Sequence, residues 1–357
     1  MSKRNLLLLF LLLCPFAGAR SADDVLKLYF KSIGIQQGLS HQMVNAIVKD
    51  PQGFIWIGTA EGLNRYDGTE FHVYRHEPGN PCSLSTSWIN CLYITRDGRL
   101  FIGTEKGVNV YNAQKENFER ISAENDSRNL LGNLRIRCFC EDSKGYLWIG
   151  TLDGLIRFDR RNGLINFYKL NHYDRDKMHN EVRSLCEDSA GRLWIGTFDG
   201  LYCRETESGV FKSVPLKKAP AEGNCLISGL HIQQEDPHTL YIAATGGLRV
   251  FDTETGGERH YHTANSGIAS NDVRDVTRYD AKHVLAATSS GLSVFDIPSG
   301  GFTNFANSIT DPVSLPTQIV RCLFQDDNGL VWLGTNYGVA CCNSHRRPID
   351  VHYINDT

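Results

Sequence analysis

Polar residues suited to holding an anion recur at a fixed position in this 357-residue chain. Each lies seventeen residues before a glycine that opens an apolar run, and the set is Asn45, Asn90, Arg137, Arg183, Arg274 and Arg321. A guanidinium group presents a planar fork of N–H donors that matches carboxylate and sulfate groups. If the fold gathers these residues, the four arginines form a site for acidic groups, such as those of an acidic glycan.

The same arginines have a purely structural interpretation. Each can form an ion pair with an acidic residue of a neighbouring repeat. The candidate partners are Glu61, Glu105, Asp153 and Asp199. The fifth repeat has no polar residue at this spacing, and His231 fills the place only if that repeat carries a one-residue shift.

Two aromatic residues are further candidates for ligand binding. Trp88 lies in the loop SLSTSWIN, and Tyr337 directly precedes Gly338. Exposed aromatic side chains can stack on the apolar faces of sugar rings. The alternative is that both pack against the next repeat.

The glycines that set this spacing define seven repeats. They are Gly62, Gly107, Gly154, Gly200, Gly247, Gly291 and Gly338, separated by 45, 47, 46, 47, 44 and 47 residues. The best preserved repeats read LWIGTLDGL and LWIGTFDGL, and each repeat is divided into four short runs, strands a to d. Units of this length fit one propeller blade. The sequence therefore predicts an all-β fold, a seven-bladed β-propeller of four-stranded antiparallel blades over residues 25–354.

Other positions around each glycine predict the blade interior. Six residues earlier stands a large apolar group, filled by Trp56, Phe101, Trp148, Trp194, Tyr241, Leu285 and Trp332. Twelve residues earlier, five repeats carry Asp or Glu, which we expect to cap the turn between strands a and b. The large apolar group serves the fold because stacked blades need one such group at the same height, and the acidic residue serves it by capping a turn.

Two terminal segments compete to close the ring. Residues 26–33 and 349–354 both resemble an outermost strand, which gives eight candidates for seven blades. Pairing the N-terminal segment into the last blade would remove two exposed sheet edges.

The N-terminus has the features of an export signal. Residues 1–19 combine a short basic region, an apolar run of eight residues and small residues at the end. The run is too short to span a membrane, and no other segment has that length. We therefore predict a signal peptide and a periplasmic or secreted protein. Cys14 offers a lipoprotein alternative, although Leu13 replaces the small residue expected before a lipidated cysteine.

Composition and cysteine positions argue against several classes of function. The 37 Lys+Arg and 40 Asp+Glu give a net charge of -3, which disfavours nucleic acid as the main partner. Cys91, Cys138 and Cys322 all lie sixteen residues before their glycines, so we expect buried thiols rather than disulfides. We find no zinc-binding spacing and no cluster suited to acid–base or nucleophilic catalysis. We therefore expect no cofactor, no metal and no enzyme activity.

Residues 38–68, GLSHQMVNAIVKDPQGFIWIGTAEGLNRYDG, resemble the two-component regulator propeller repeat. The likeness runs over about residues 25–354, with the fifth and sixth repeats degenerate at IAATGGL and LAATSSGL. The resemblance implies a family in which two seven-bladed propellers precede a β-sandwich, a membrane helix, a histidine kinase and a response regulator. It also implies a periplasmic sensor region whose ligands are oligosaccharides from complex polysaccharides.

The sequence departs from that pattern because it ends at Thr357 after one propeller and carries no kinase motif. We therefore expect a fragment or a stand-alone product without signalling output of its own. The favoured function is the N-terminal ligand-sensing propeller of a hybrid two-component system that regulates polysaccharide use. Its expected partners are a second propeller or downstream sensor domains. The alternatives are a protein-interaction scaffold and, less favoured, a propeller lyase or glycosidase.

Overall fold

The chain forms a closed ring of seven β-sheets. The computed structural model describes residues 26–170, 180–205, 210–217, 225–233 and 235–342. Within these residues, seven four-stranded antiparallel sheets account for nearly all regular structure. The innermost strands of successive sheets contact one another in chain order, and the first also contacts the last. The prediction of a seven-bladed β-propeller with four-stranded antiparallel blades is confirmed.

The strands follow the sequence repeats closely. In chain order they are β1 (Lys31–Ile33), β2 (Val44–Lys49), β3 (Ile55–Thr59), β4 (Gly62–Tyr66), β5 (Phe71–Tyr74), β6 (Ile89–Ile94), β7 (Leu100–Thr104), β8 (Gly107–Asn112), β9 (Asn117–Arg120), β10 (Ile136–Glu141), β11 (Leu147–Thr151), β12 (Gly154–Asp159), β13 (Leu164–Tyr168), β14 (Val182–Glu187), β15 (Leu193–Thr197), β16 (Gly200–Arg204), β17 (Phe211–Val214), β18 (Ile227–Ile232), β19 (Thr239–Ala244), β20 (Gly247–Asp252), β21 (Glu258–Tyr261), β22 (Val273–Arg278), β23 (His283–Thr288), β24 (Gly291–Asp296), β25 (Gly301–Phe305), β26 (Val320–Gln325), β27 (Val331–Thr335) and β28 (Gly338–Cys342). A short helix, α1 (Leu130–Asn133), and a 3-10 turn, Ile35–Gln37, complete the described elements. Blade 1 is β2–β5, and each later blade takes the next four strands, with β1 completing blade 7.

The N-terminal strand closes the ring. Strand β1 pairs antiparallel with β28, with Ser32 opposite Ala340, so the last blade takes its outermost strand from the start of the chain. This strand is shorter than the sequence predicts, because residues 26–30 form no strand. Leu28 and Phe30 instead insert their side chains into the core of the last two blades. The competing segment 349–354 and the predicted signal peptide 1–19 lie outside the described residues.

Close contact between blades explains the glycine of the WIGT motif. A Cβ atom on Gly103 would lie 2.7 Å from Cγ2 of Ile136 in the next blade, and closer still to the sulfur of Cys91. Cys91 stands opposite Gly103 across the β6–β7 pair. In blade 5 the arrangement is reversed: the larger residue, Ala243, is on the second strand β19, and the glycine opposite it, Gly229, is on the innermost strand β18. The second strands are buried along almost their entire length, so small residues here decide how closely the blades approach.

In blades 1, 3 and 4 a carboxylate also holds the large apolar group of the blade. Asp50 caps the turn between strands a and b as predicted, since Oδ1 accepts a 2.9 Å bond from the backbone N–H of Phe54. Its second oxygen accepts the indole N–H of Trp56 at 2.7 Å. The same indole bond occurs in blades 3 and 4. In these three blades the tryptophan is therefore fixed both by packing and by a buried hydrogen bond, which the sequence interpretation missed.

The cysteines act as small apolar residues between blades. The ten cysteines in the described part of the chain are all free thiols. Burial raises the pKa of Cys322 to about 12 and moves those of Cys91 and Cys138 in the same direction. Such thiols are poor nucleophiles, because the thiolate is the reactive form. Within the ranges given above, no helix has the length and apolar character needed to cross a bilayer.

Candidate functional site

A β-bulge at the start of every innermost strand points one side chain of each blade towards the channel. In β2, Val44 pairs with Thr59 and Ala46 pairs with Gly58, so Asn45 has no partner across the ladder. The same register shift occurs in the other six innermost strands. A bulge of this kind re-aims the extra residue. The seven extra residues, called here the bulge ring, are Asn45, Asn90, Arg137, Arg183, Ser228, Arg274 and Arg321.

The bulge ring contains the six residues predicted from their spacing, but its fifth member is Ser228. The assignment of His231 to this place is wrong. Ile227, the residue before Ser228, lies twenty residues before Gly247, whereas the corresponding residue of the other blades lies eighteen before its glycine. Two additional residues in the turn between β18 and β19 cause the offset. His231 sits further along β18 opposite Tyr241, where burial lowers its pKa to about 4.

All seven members of the bulge ring line one cavity of about 720 Å³. We call it the channel cavity. Its other lining residues are Trp88, Glu105, Arg135, Leu226, Thr245 and Asp272. It opens on the face formed by the d–a connections and b–c turns, here called the upper face. Its volume lies within the range of small-ligand sites.

The two aromatic candidates lie in different places. Trp88 directly precedes β6, is 40% exposed and forms part of the wall of the channel cavity. Tyr337 is 65% exposed and lines a separate pocket of about 400 Å³. Gln42, Pro316 and the Ile35–Gln37 turn form the rest of that pocket. The structure therefore brings Trp88 to the bulge ring and leaves Tyr337 outside it.

The carboxylates that contact the bulge ring come from residues that directly precede the innermost strands. The Nε atoms of Arg137 and Arg183 lie 2.7 Å and 3.2 Å from Oε1 of Glu181, so two guanidinium groups share one carboxylate. Glu181 is almost fully buried and stands directly before β14. Asp272, which holds the same position before β22, accepts bonds of 3.1 Å and 2.9 Å from Arg274.

The predicted partners of the ring arginines are therefore wrong. Among the described residues, Glu105 pairs with Arg135 and Asp153 with Lys169, and neither pairs with a ring arginine. The partners Glu181 and Asp272 each directly precede strand a, nineteen residues before the glycine of their blade. Glu181 contacts the ring arginines of two adjacent blades, Arg137 and Arg183.

Arg321 differs from the other ring arginines because none of the carboxylates that the structure describes lies within ion-pair distance of it. In the described part of the chain, its only polar side-chain contact is a 3.3 Å hydrogen bond to Oδ1 of Asn336. Burial lowers the pKa of Arg321, and the positive charge of Arg274 acts in the same direction. Burial also lowers the pKa of Arg183, against the opposing effect of Glu181. The wall thus holds guanidinium charge that the protein does not fully compensate.

Several buried polar atoms of the ring lack a hydrogen-bond partner. Among the described residues these are Oδ1 of Asn45, Nδ2 of Asn90 and Nε of Arg321, whereas the Nε atoms of Arg137 and Arg183 face Glu181 as ion pairs. Five arginines and three carboxylates, counting Glu181, give the wall a net charge of +2. Buried polar groups are normally satisfied, so the clustering of these atoms at one cavity is typical of a site completed by something bound.

Sequence comparison identifies the repeats. The family model described as "Two component regulator propeller" matches residues 38–61, 83–106, 129–153, 176–199 and 314–337. These five repeats are two-component regulator propeller repeats. Each matched window of this regulator propeller ends in the b–c turn of its blade and includes the bulge residue. Blades 5 and 6, in which Ala243 and Ala287 replace the WIGT glycine, are not matched.

Individual relatives share parts of the regulator propeller. Histidine kinase P4 of Formosa agariphila is 43% identical over 56 residues, which are 16% of this chain and 4% of that kinase. The extracellular domain of a hybrid two-component system from B. thetaiotaomicron superposes with a TM-score of 0.72 at 22% identity. The match covers 89% of this chain and 42% of that domain. The chain therefore spans less than half of the sensor domain and a small part of the kinase.

The same fold also occurs in an enzyme. A catalytically inactive variant of virginiamycin B lyase from Staphylococcus aureus, solved with quinupristin, superposes with a TM-score of 0.67 at 12% identity. This match covers 89% of this chain and 99% of the lyase. Identity this low shows a shared fold, so function must be argued from the site.

Proposed function

We propose that this chain is the ligand-binding propeller of an exported two-component sensor and that it recognises an oligosaccharide in the channel cavity. The observation that carries the proposal is the bulge ring, which directs seven side chains into one cavity and leaves buried donors and acceptors without partners. The matched repeats support a sensory role, because the matched B. thetaiotaomicron domain is the extracellular part of a hybrid two-component system.

The wall of the channel cavity offers both kinds of contact that sugars require. The guanidinium and amide groups of the bulge ring can bond to hydroxyl and acidic groups. Trp88 supplies an apolar face at the edge, on which a sugar ring can stack. Because Trp88 is partly exposed in the free protein, stacking needs no rearrangement of the core.

Binding fits this wall better than catalysis. Glu105 and Asp272, the carboxylates among the described lining residues, are each paired with an arginine. A general acid or base needs a carboxylate that is free to exchange a proton with the substrate. In the proposed role the propeller binds and releases the ligand in its channel cavity. A second propeller or downstream sensor domains transmit the signal.

A protein-docking role is the second candidate. In the described part of the chain six large apolar residues are exposed, and four of them lie on the upper face, namely Ile35, Trp88, Ile309 and Tyr337. Ile35, Ile309 and Tyr337 belong to blade 7 or its flanking connections, and Ile35 and Tyr337 line the same pocket. Exposed apolar groups of this kind are typical of interaction surfaces.

Calorimetric titration of the purified chain against an oligosaccharide panel tests the proposal. We expect one or more saccharides to bind with a stoichiometry of one. Trp88→Ala should weaken that binding about tenfold, since a well-placed aromatic contact contributes about 1 kcal/mol or more. Leu164→Ala, an exposed apolar residue at the opposite end of the blades, should leave it unchanged. Binding insensitive to Trp88→Ala, or no binding by any saccharide, would contradict the proposal.

A further inference from the structure

The positive charge of the channel cavity is unevenly compensated. Arg135 is paired with Glu105, and Arg274 is held by both Nε and Nη2 on Asp272, so these two pairs are neutral. Arg137 and Arg183 share the single carboxylate of Glu181 and keep one excess charge. Arg321 has no carboxylate within 4.0 Å among the described residues. The two excess charges therefore reside at two separate positions.

Those two positions face each other across the channel. The innermost strands follow one another around the ring in chain order, and β26 contacts both β22 and β2. In a ring of seven blades, the place opposite blade 7 lies between blades 3 and 4. Arg321 belongs to blade 7, and Arg137 and Arg183 belong to blades 3 and 4. The uncompensated guanidinium groups thus mark the two ends of one diameter.

The contacts of the Nε atoms show the same division. Among the described ring arginines, Nε of Arg321 is buried without a hydrogen-bond partner, whereas the Nε atoms of Arg137 and Arg183 converge on the same oxygen of Glu181. The Nε atom of Arg274 donates to Asp272. Neutral side chains, Asn45 and Asn90, occupy the ring on one side between the two ends. The wall therefore carries excess charge at both ends of the diameter, and along that side it holds these amides and the mutually neutralised Glu105–Arg135 pair.

We propose that the channel cavity selects a ligand with two separated anionic groups, one bound at Arg321 and the other at Arg137 and Arg183, joined by an uncharged polar body. This inference rests on the proposed function and names the class of oligosaccharide, one with a carboxylate or sulfate on each of two sugar units. Each acidic group would neutralise one excess charge in a partly desolvated site, where ionic hydrogen bonds are strong. A single anion could satisfy only one end.

Calorimetry with digalacturonate and its methyl esters tests the charge requirement at constant shape. The diacid should bind most tightly, and each esterification should weaken binding about tenfold. Arg321→Gln should lower the affinity for the diacid to that of the wild-type protein for the monoester. Arg161→Gln is the matched control, because this exposed residue lies in the turn between β12 and β13, at the other end of the blades, and causes the same change in net charge. A disulfated disaccharide in parallel distinguishes sulfate from carboxylate recognition.

Crystals soaked in sodium bromide provide a readout that needs no sugar. Anomalous scattering should place one bromide at Arg321 and another at Arg137 and Arg183, and Arg321→Gln should remove only the first. No bromide in the channel, or a single central one, would overturn the inference even if sugars bind. Tight binding of the dimethyl ester or another neutral saccharide would also overturn it and leave oligosaccharide sensing intact. Two bromide sites without binding of any saccharide would retain the anion subsites and remove the oligosaccharide from the proposed function.

Discussion

The indole Nε1 of Trp148 donates a 2.7 Å hydrogen bond to Oδ2 of Asp142, six residues earlier in the chain. The other oxygen of Asp142 accepts the backbone N–H groups of Lys144 and Tyr146, so one carboxylate caps the a–b turn and fixes the blade's largest core group. Turn and core are therefore coupled through a single side chain. This coupling keeps the innermost strand, and hence its bulge residue, at a fixed height in the ring.

Replacing Asp142 by alanine should lower the free energy of unfolding more than the same replacement of Asp326, its counterpart in blade 7. Asp326 caps the same turn through Asn328 and Leu330, but the indole N–H of Trp332 has no hydrogen-bond partner among the described residues. Asp142→Ala leaves a buried indole donor unsatisfied, which should add about 1–3 kcal/mol to the loss. Urea unfolding of both variants measures the difference, and equal losses would contradict the coupling.

Truncation of Trp148 and of Trp88 should change the free energy of unfolding by very different amounts. Trp148 is 1% exposed, so Trp148→Ala should lower the free energy of unfolding by about 3–5 kcal/mol. Trp88 lies at the cavity edge and is 40% exposed, so Trp88→Ala should change it by about 0.5 kcal/mol or less. Thermal and urea unfolding of the two variants make the comparison. A large loss for Trp88→Ala would mean that Trp88 serves packing rather than binding.

The reversed order of glycine and larger residue in blade 5 predicts that a second substitution can restore stability lost in blade 2. Gly103→Ala should destabilise the protein by about 1–3 kcal/mol, because its new methyl group meets Cys91 and Ile136. Adding Cys91→Gly recreates the arrangement of Gly229 and Ala243 and should restore part of the loss. A double-mutant cycle that includes Cys91→Gly alone measures the coupling. Additive losses would show that the contact with Ile136 alone sets the blade spacing.

The carboxylate of Asp275 should make stability fall as pH rises. It lies between the last two innermost strands, where it accepts bonds of 2.9 Å and 2.8 Å from the backbone N–H groups of Val276 and Leu323. Burial raises its pKa to about 6, against the opposing effect of those two bonds. The folded state therefore binds more protons than the unfolded state between about pH 4 and pH 6. Its contribution is complete below about pH 4 and is lost as pH rises through 6, with a full loss of about 3 kcal/mol, of which about 2 kcal/mol falls between pH 4 and pH 7.

Asp275→Asn removes this titration and tests it. The free energy of unfolding of the variant, taken relative to wild type, should increase by about 2 kcal/mol between pH 4 and pH 7. Guanidinium chloride unfolding at several pH values gives this difference directly. A difference that does not change with pH would show that Asp275 ionises normally in the folded protein.

The ring positions were predictable because one offset holds in six of seven blades. The short turn between strands a and b keeps Asn45, Asn90 and the four arginines in register, and only blade 5 departs, where two additional residues place Ser228 rather than His231 at the bulge. The arginine partners were not predictable from acidic residues in the b–c turns. Glu181 and Asp272 come from the residue before strand a, and whether they point inward depends on the bulge that follows.

The position of Tyr337 shows a second limit of the repeat pattern. Its b–c turn lies beside the N-terminal closure, so the Ile35–Gln37 turn forms a separate pocket around it. A contact between opposite ends of the chain breaks the equivalence of the repeats. Trp88 has no such neighbour in the wall of its cavity and remains beside the ring.

A crystal structure of the chain with a saccharide that binds in calorimetry is the most direct test of the central claim. We predict density for the sugar within the channel cavity, with polar groups within hydrogen-bond distance of Arg183 and Arg321 and one ring stacked on Trp88. Density confined to the Tyr337 pocket or to the outer blade edges, with the channel holding only solvent, would contradict the account.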